Sequence, residues 1–276
     1  MDITMVECGI LDLGSCLPQK LMEYLLTILN APLQPFLTLV HHLLSEPIRL
    51  DLFSSLWAII IYVLSMFYAF LIIYSGLQFI TSGYDAHKRD KAKEWLKNIV
   101  IMIVLVQASF FIYQLFIDLS SVMTTATLSL IDTNFFLLTI DNITNLGLEL
   151  LFGIMYALTL FITALILVVR YAIVAVGVVL FPLGIFCYFI EPLQPYGMLV
   201  LHFLGVSIFI TFLDAILLIG FSQLTVLPIF DNFKILIMIA GFFTINIVMF
   251  FLMFFSIIKA GFSLGGKIAL TIAKLA

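Results

Sequence analysis

The sequence predicts an all-α fold, a polytopic transmembrane helical bundle with about six spanning helices after an N-terminal amphipathic segment. Three observations carry this expectation. The 276 residues are 64% hydrophobic and only 10% charged, where soluble domains carry about 25% charge. Mean hydropathy reaches +1.26. Apolar stretches of 18 or more residues recur along most of the chain, each long enough to cross a ~30 Å hydrocarbon core as a helix. The runs are continuous rather than alternating at every second residue, and unsatisfied backbone groups in lipid cost several kcal/mol, so helices are favoured over a barrel.

In chain order, residues 1–50 form the amphipathic or interfacial segment. Short helices are expected over 18–30 and 33–45, separated by Pro32 and Pro35, which disfavour a continuous helix. Each is too short to span, which favours an interfacial position. Residues 51–120 form a first transmembrane hairpin, with spans over 54–80 and 97–118 and a charged turn between them. Residues 121–148 read as an outer loop without Lys or Arg. Residues 149–259 form the helical core, with spans over 149–169, 171–190, 198–222 and 233–258, and 260–276 an amphipathic, lightly basic tail. A break at Arg170 is expected, because one helix across both neighbouring runs would be ~60 Å long, roughly twice the membrane.

The turn SGYDAHKRDKAKEWLKN (82–98) holds five of the twelve Lys and Arg residues: Lys88, Arg89, Lys91, Lys93 and Lys97. Basic short loops stay in the cytoplasm, so this turn is assigned inside, and the acidic N-terminal segment and the 121–148 loop outside. Arg170 then returns inside. Six spans leave the C-terminus outside, against the sign of Lys259, Lys267 and Lys274. Either one run fails to cross, the pair beside Arg170 being the first suspect, or the first loop overrides the tail. The turn itself has three readings: a topology marker attracted to anionic headgroups, a helical docking ledge braced by the pairs Asp85–Arg89, Asp90–Lys93 and Glu94–Lys97, or a nucleic-acid groove. Three acids lower its net charge to about +2, which weakens the last.

Catalytic signals are absent and no enzymatic activity or cofactor is expected. GFSLGGKI (261–268) has Ile268 where a phosphate-binding loop needs Ser or Thr, and reads as a small-residue packing surface. His41 and His42 are neighbours pointing about 100° apart, a poor metal pair. Asn142-Ile143-Thr144 is a glycosylation acceptor pattern on the expected outer loop. Cys8 and Cys16 are either a disulfide, if they face an oxidising space, or two buried thiols. The candidate intramembrane charges are Arg170 and Asp214. Three readings of Asp214 stay open: an ion pair with Arg170, both being placed toward the cytoplasmic half, a carboxylate facing a polar lumen, or a neutral hydrogen-bonded acid. Gln107, Gln114, Thr211, Thr244 and Asn246 add polar groups as interhelical glue or as a conduit lining.

Two stretches carry a resemblance. YSGLQFITSGYDAHKRDKAKEWLKNIVIMIVLVQASFFIYQLFIDLS (74–120) is similar to the helical hairpin of the pilin-like and polytopic membrane subunits of type IV secretion and conjugation systems, through Gly76, Ser82, Ala92 and Lys93. RYAIVAVGVVLFPLGIFCYFIEPLQPYG (170–197) resembles the TrbL-like polytopic subunits, through Arg170, Pro182, Leu183, Gly184 and Pro192. The two regions cover about a quarter of the chain, and the compact size resembles the archaeal DNA-import (Ced-type) version. The resemblance implies a non-enzymatic, multi-pass subunit of the inner or cytoplasmic membrane. It implies several copies beside a motor ATPase and pilin-like small membrane proteins, with single- or double-stranded DNA in transit. It also implies a helix break at Pro182 and Gly184, and a cytoplasmic tip at 82–98 available for docking. The alternative is a secondary transporter or channel for a small solute, using Asp214 and the broken helix as a midplane site.

Overall fold

The computed structural model describes residues 33–83, 85–131, 146–225 and 227–275, with positions 24, 27 and 31. Among the described residues there are helices and turns but no strand. The helices are α1 (33–45), α2 (Ser54–Thr81), α3 (Ala86–Gln107), α4 (Ser109–Leu128), α5 (Leu146–Phe189), α6 (Gln194–Leu224) and α7 (Lys234–Leu275), with 3-10 turns at Leu50–Phe53 and Pro228–Phe233. Five are long and apolar enough to cross a membrane: α2 with its preceding turn, α4, α5, α6 and α7. The chain is a multi-pass membrane protein. Of the helix expected over 18–30 only positions 24 and 27 are described, both helical; the Cys8–Cys16 pairing and the Asn142 acceptor lie outside the described residues.

Local sequence explains the element boundaries. Leu33, Val40 and Leu44 recur on one face of α1 and are buried, so this short helix packs into the bundle by an apolar stripe. Helix α2 ends where Thr81 and Ser82 turn their hydroxyls back onto the carbonyls of Leu77 and Phe79. Asp85 starts α3 by accepting the His87 backbone N–H at 3.0 Å, the usual device for an otherwise unpaired first-turn donor. Only Ala108 separates α3 from α4, and its N–H still bonds the Val104 carbonyl at 3.0 Å, so the two form one interrupted rod.

Contacts between helices set the directions. Trp57 Nε1 donates to Ser109 Oγ at 2.9 Å, and the Tyr74 ring meets Trp95 edge-on with centroids 5.0 Å apart, so α2 runs antiparallel to the α3–α4 rod. Tyr113 Oη donates to the Val174 carbonyl at 2.7 Å while Met102 and Val106 pack with Ile185 and Phe186, so α5 returns alongside that rod. Helix α6 folds back along α5; the Phe242 ring packs on Tyr156 and Asn246 Nδ2 reaches the Thr159 carbonyl at 3.3 Å, so α7 runs parallel to α5. The charged turn 82–85, the turn 190–193 and the end of α7 therefore share one end of the bundle.

The interior divides into two stacked cores joined by a middle layer. Leu64, Tyr68, Ile99, Met102 and Ile185 fill the core near the charged turn. Leu33, Leu44, Tyr156, Leu160, Phe242 and Met249 fill the other. Tyr113, Val174 and Leu204 lie between them. Helices α5 and α6 contribute to both levels, and their crossing is tight at one point. A Cβ on Gly197 would meet the backbone N of Tyr188 and lie 2.6 Å from the Gly184 carbonyl, a small-residue approach typical of membrane helix pairs.

Several expectations need correction. The runs 149–169 and 171–190 are one 44-residue helix, α5, with Arg170 near its middle rather than in a turn. Nothing between Ile166 and Val174 stops a helix, and Arg170 finds its hydrogen bonds sideways on α6, so the charge forces no boundary. Pro182 and Gly184 do not break the helix, because α5 runs through both; packed neighbours let membrane helices tolerate a missing backbone donor. Helix α4 extends to Leu128, into the expected outer loop, and α7 continues through the expected separate tail. With α5 undivided, the turn 190–193 moves to the charged end and the conflict over the C-terminal lysines disappears. Asp214 moves with it, to the half of the bundle away from the charged turn.

Two glycines test the packing. Gly197→Ala is expected to lower stability in detergent by about 1–3 kcal/mol, since the obstructing atoms are backbone and cannot rotate away. Gly205→Ala, with nothing within 4 Å of its Cβ, is expected to change it by less than about 1 kcal/mol. Thermal unfolding of the two purified variants, followed by monodisperse size-exclusion signal, checks the contrast.

Candidate functional site

The middle of the bundle is built from side chains that an apolar core ordinarily rejects. Ser207, Thr211, Asp214 and Ser222 fall on one helical face of α6, so they form one inward stripe. Thr159, Thr163 and Arg170 do the same on α5, and Ser120 and Thr124 face inward from α4. All are buried. Most are short hydroxyl residues that return a hydrogen bond to their own helix: Thr124 to Ser120, Thr163 to Thr159, Ser207 to Phe203.

Arg170 is the exception and the centre. It is 6% exposed. Its Nε donates to the Ser207 carbonyl at 2.8 Å, and its Nη2 donates to the Ile208 carbonyl at 2.9 Å and to Thr211 Oγ1 at 3.4 Å. The Ile208 carbonyl also accepts from Ser120 Oγ at 2.8 Å, so three helices meet on one oxygen. One layer away, Tyr113 Oη caps the Val174 carbonyl. Gly177 makes room for that phenol, since a Cβ there would strike Tyr113 Oη and lie 2.6 Å from Leu204.

Asp214 is fully buried, and neither carboxylate oxygen has a hydrogen-bond partner. It shares the interior of the bundle with the buried Arg170. Among the ion pairs of the described residues, however, none joins the two. The guanidinium directs its donors to α6 carbonyls instead. Asn246 completes the set, with its Nδ2 on Thr159 and its Oδ1 unpartnered.

Of the polar residues singled out in the sequence, Thr211 and Asn246 lie inside while Gln107 and Gln114 face outward. Thr244 bonds back to the Ala240 carbonyl at 2.7 Å. Tyr113, Ser120, Thr124 and Ser207 escape a reading of the sequence, where their only signal is a hydroxyl recurring at helical spacing within an apolar run. His42 pairs with Glu46 at 2.7 Å on the surface, and no group of three or more His, Cys, Asp or Glu among the described residues could hold a metal ion.

The charged turn forms a second locality. Asp85 pairs with Lys88 at 3.8 Å and Asp90 with Lys93 at 3.6 Å. The Asp90–Lys93 pair is as expected; Asp85 turns to Lys88 rather than to Arg89. Lys88, Arg89, Lys91, Lys93 and Lys97 all lie on α3, those at 88, 89, 91 and 93 exposed and Lys97 exposed one turn further on.

The central bonds make a graded set of variants. Arg170→Met is expected to destabilise the protein by about 3–5 kcal/mol, because it removes two charged hydrogen bonds to the Ser207 and Ile208 carbonyls, each worth roughly 1.5–3 kcal/mol. Arg170→Lys is expected to recover less than half of that, since one ammonium does not reproduce a fork spanning two carbonyls. Combining Arg170→Met with Asp214→Leu is expected to be milder than the sum of the single changes. Denaturant titration of the four proteins in detergent checks these values. No protein-family model, no curated protein and no solved structure matches this chain.

Proposed function

We propose that this protein is a non-enzymatic channel or scaffold subunit of a DNA-transfer apparatus of the type IV secretion kind, a TrbL-like subunit working in several copies beside a motor ATPase and pilin-like small membrane proteins. One observation carries the assembly part of this reading: the apolar exterior is longer than a bilayer is thick. On α5 alone, outward residues from Leu151 through Leu158, Leu165 and Val176 to Leu180 are exposed, a rise of ~44 Å. Helix α2 lies beside only the half of α5 nearest the charged turn, and only 11% of its most apolar stretch is buried, against 44% in α5 and α6. A ~30 Å hydrocarbon core at the usual ~20° tilt does not cover both levels. Protein contacts then cover the remainder, as in a subunit of a larger machine.

The identity of that machine rests on the resemblance of the α2–α3 hairpin, with Gly76, Ser82, Ala92 and Lys93, and of the segment from Arg170 to Pro192. The charged turn at the hairpin tip supplies a ledge on the side where a motor would dock, which the positive-inside rule makes cytoplasmic. Asp214, buried with two unpartnered oxygens, favours the second reading, a secondary transporter or channel for a small solute. Against it, Arg170 ties α5 to α6 through backbone atoms, which opposes the rocking of one against the other that alternating access requires.

Affinity purification in mild detergent from native membranes distinguishes the readings. The expected outcome is co-elution with a secretion-type ATPase and small two-helix membrane proteins. A lone monomer that moves a solute into vesicles overturns it. Neutralising Lys88, Arg89 and Lys91 together is expected to abolish transfer or invert the hairpin; a variant with normal topology and normal transfer leaves the turn an ordinary solvated loop.

A further inference from the structure

A cleft of about 580 Å³ opens at the charged end of the bundle. It lies between the last turns of α2 (Leu71, Tyr74, Gln78), the first turns of α3 (Lys88, Lys91, Trp95) and the turn after α5 (Ile190, Glu191). Its volume falls in the range of small-molecule sites, ~300–1,000 Å³, and is generous for a bare anion. Its chemistry is layered along the helix axes. Lys88 and Lys91 stand at the mouth, the Tyr74–Trp95 pair forms the middle wall, and Leu71 and Ile190 lie a turn further in. Ala92, buried at 2%, lines the cleft between the two lysines and Trp95.

That order is the order of a phospholipid crossing an interface: phosphate, then glycerol at the level where Trp and Tyr gather, then acyl chain. Lys91 has no acidic partner among the ion pairs of the described residues, and the Lys88 contact with Asp85 is long at 3.8 Å, so both ammonium groups retain donors for a phosphate. With Glu191 on the rim, the lining carries two positive charges and one negative, a balance suited to a singly charged phosphodiester rather than to a doubly charged phosphomonoester. From this geometry we infer that the cleft is a specific site for the phosphodiester headgroup of an anionic phospholipid. Lys88 and Lys91 hold the phosphate, Tyr74 and Trp95 flank the glycerol, and one acyl chain lies against Leu71 and Ile190. The inference stands apart from the assembly reading, since a transporter would use the same site.

Native mass spectrometry of the full-length, delipidated protein tests it, with phosphatidylglycerol, phosphatidylcholine and inorganic phosphate added separately. One retained phosphatidylglycerol per chain is expected, at least tenfold tighter than phosphatidylcholine, with no competition from millimolar inorganic phosphate. Lys88→Ala with Lys91→Ala is expected to weaken binding tenfold or more, while Arg89→Ala with Lys97→Ala, which removes equal charge from outside the cleft, changes it less than threefold. Ile190→Trp, which fills the cleft without altering charge, is expected to abolish the retained lipid. Equal loss in the two charge pairs would show diffuse attraction and overturn the site. Equal binding of phosphatidylcholine, displacement by inorganic phosphate, or full retention in Ile190→Trp overturns the assignment as well.

Discussion

The fold depends on a guanidinium placed in the middle of an apolar helix and satisfied by the backbone of its neighbour. Arg170 donates to the carbonyls of Ser207 and Ile208, and these are strong acceptors that remain available even while they serve their own helix, because a carbonyl oxygen has two lone pairs. The bonds let α5 run 44 residues without a break, and that in turn sets the number of passes. With α5 a single element, the bundle makes an odd number of traverses, counting α3 and α4 as one rod. The charged hairpin tip and the end of α7 then meet at one end, and α1 lies toward the other.

The two halves of the molecule are held by different means. Around Arg170 the helices are joined by directional bonds, with Ser120, Tyr113 and Thr211 all reaching a neighbouring backbone or the guanidinium. Helix α2 is attached by van der Waals packing of Leu64 and Tyr68 and by one indole bond to Ser109. In lipid, apolar packing between helices has little driving force, because acyl chains are as apolar as leucine. The hairpin is therefore the part of the structure whose position responds most readily to what lies outside it.

The membrane character, the limits of α2 and of α6, and the charged turn are legible in the sequence because each rests on composition or on an obvious change of polarity. The expected span 54–80 and the helix Ser54–Thr81 nearly coincide. Arg170 reads falsely as a boundary because a lone cation in an apolar run signals a costly burial, and nothing in its own neighbourhood reveals a partner. The partners are carbonyl oxygens 37 and 38 residues away, and a carbonyl has no letter in the sequence. Pro182 misleads for the same reason, since the packing that tolerates it belongs to α6. Asp214 and Asn246 can be named as intramembrane polar residues from the sequence, but only the folded arrangement shows that Arg170 reaches past the one and that Asn246 bonds Thr159.

The distance between Arg170 and its acceptors along the chain also has a temporal side. At synthesis rates of ~5–20 residues per second, the Ser207 and Ile208 carbonyls follow Arg170 by about 2–8 s. During that interval the 39-residue apolar span of α5 contains an unsatisfied cation at its centre, and the insertion machinery meets a segment that could settle at either of two depths. The acceptors for the guanidinium become available only with α6. A later helix thus supplies the hydrogen-bond acceptors on which an earlier one depends.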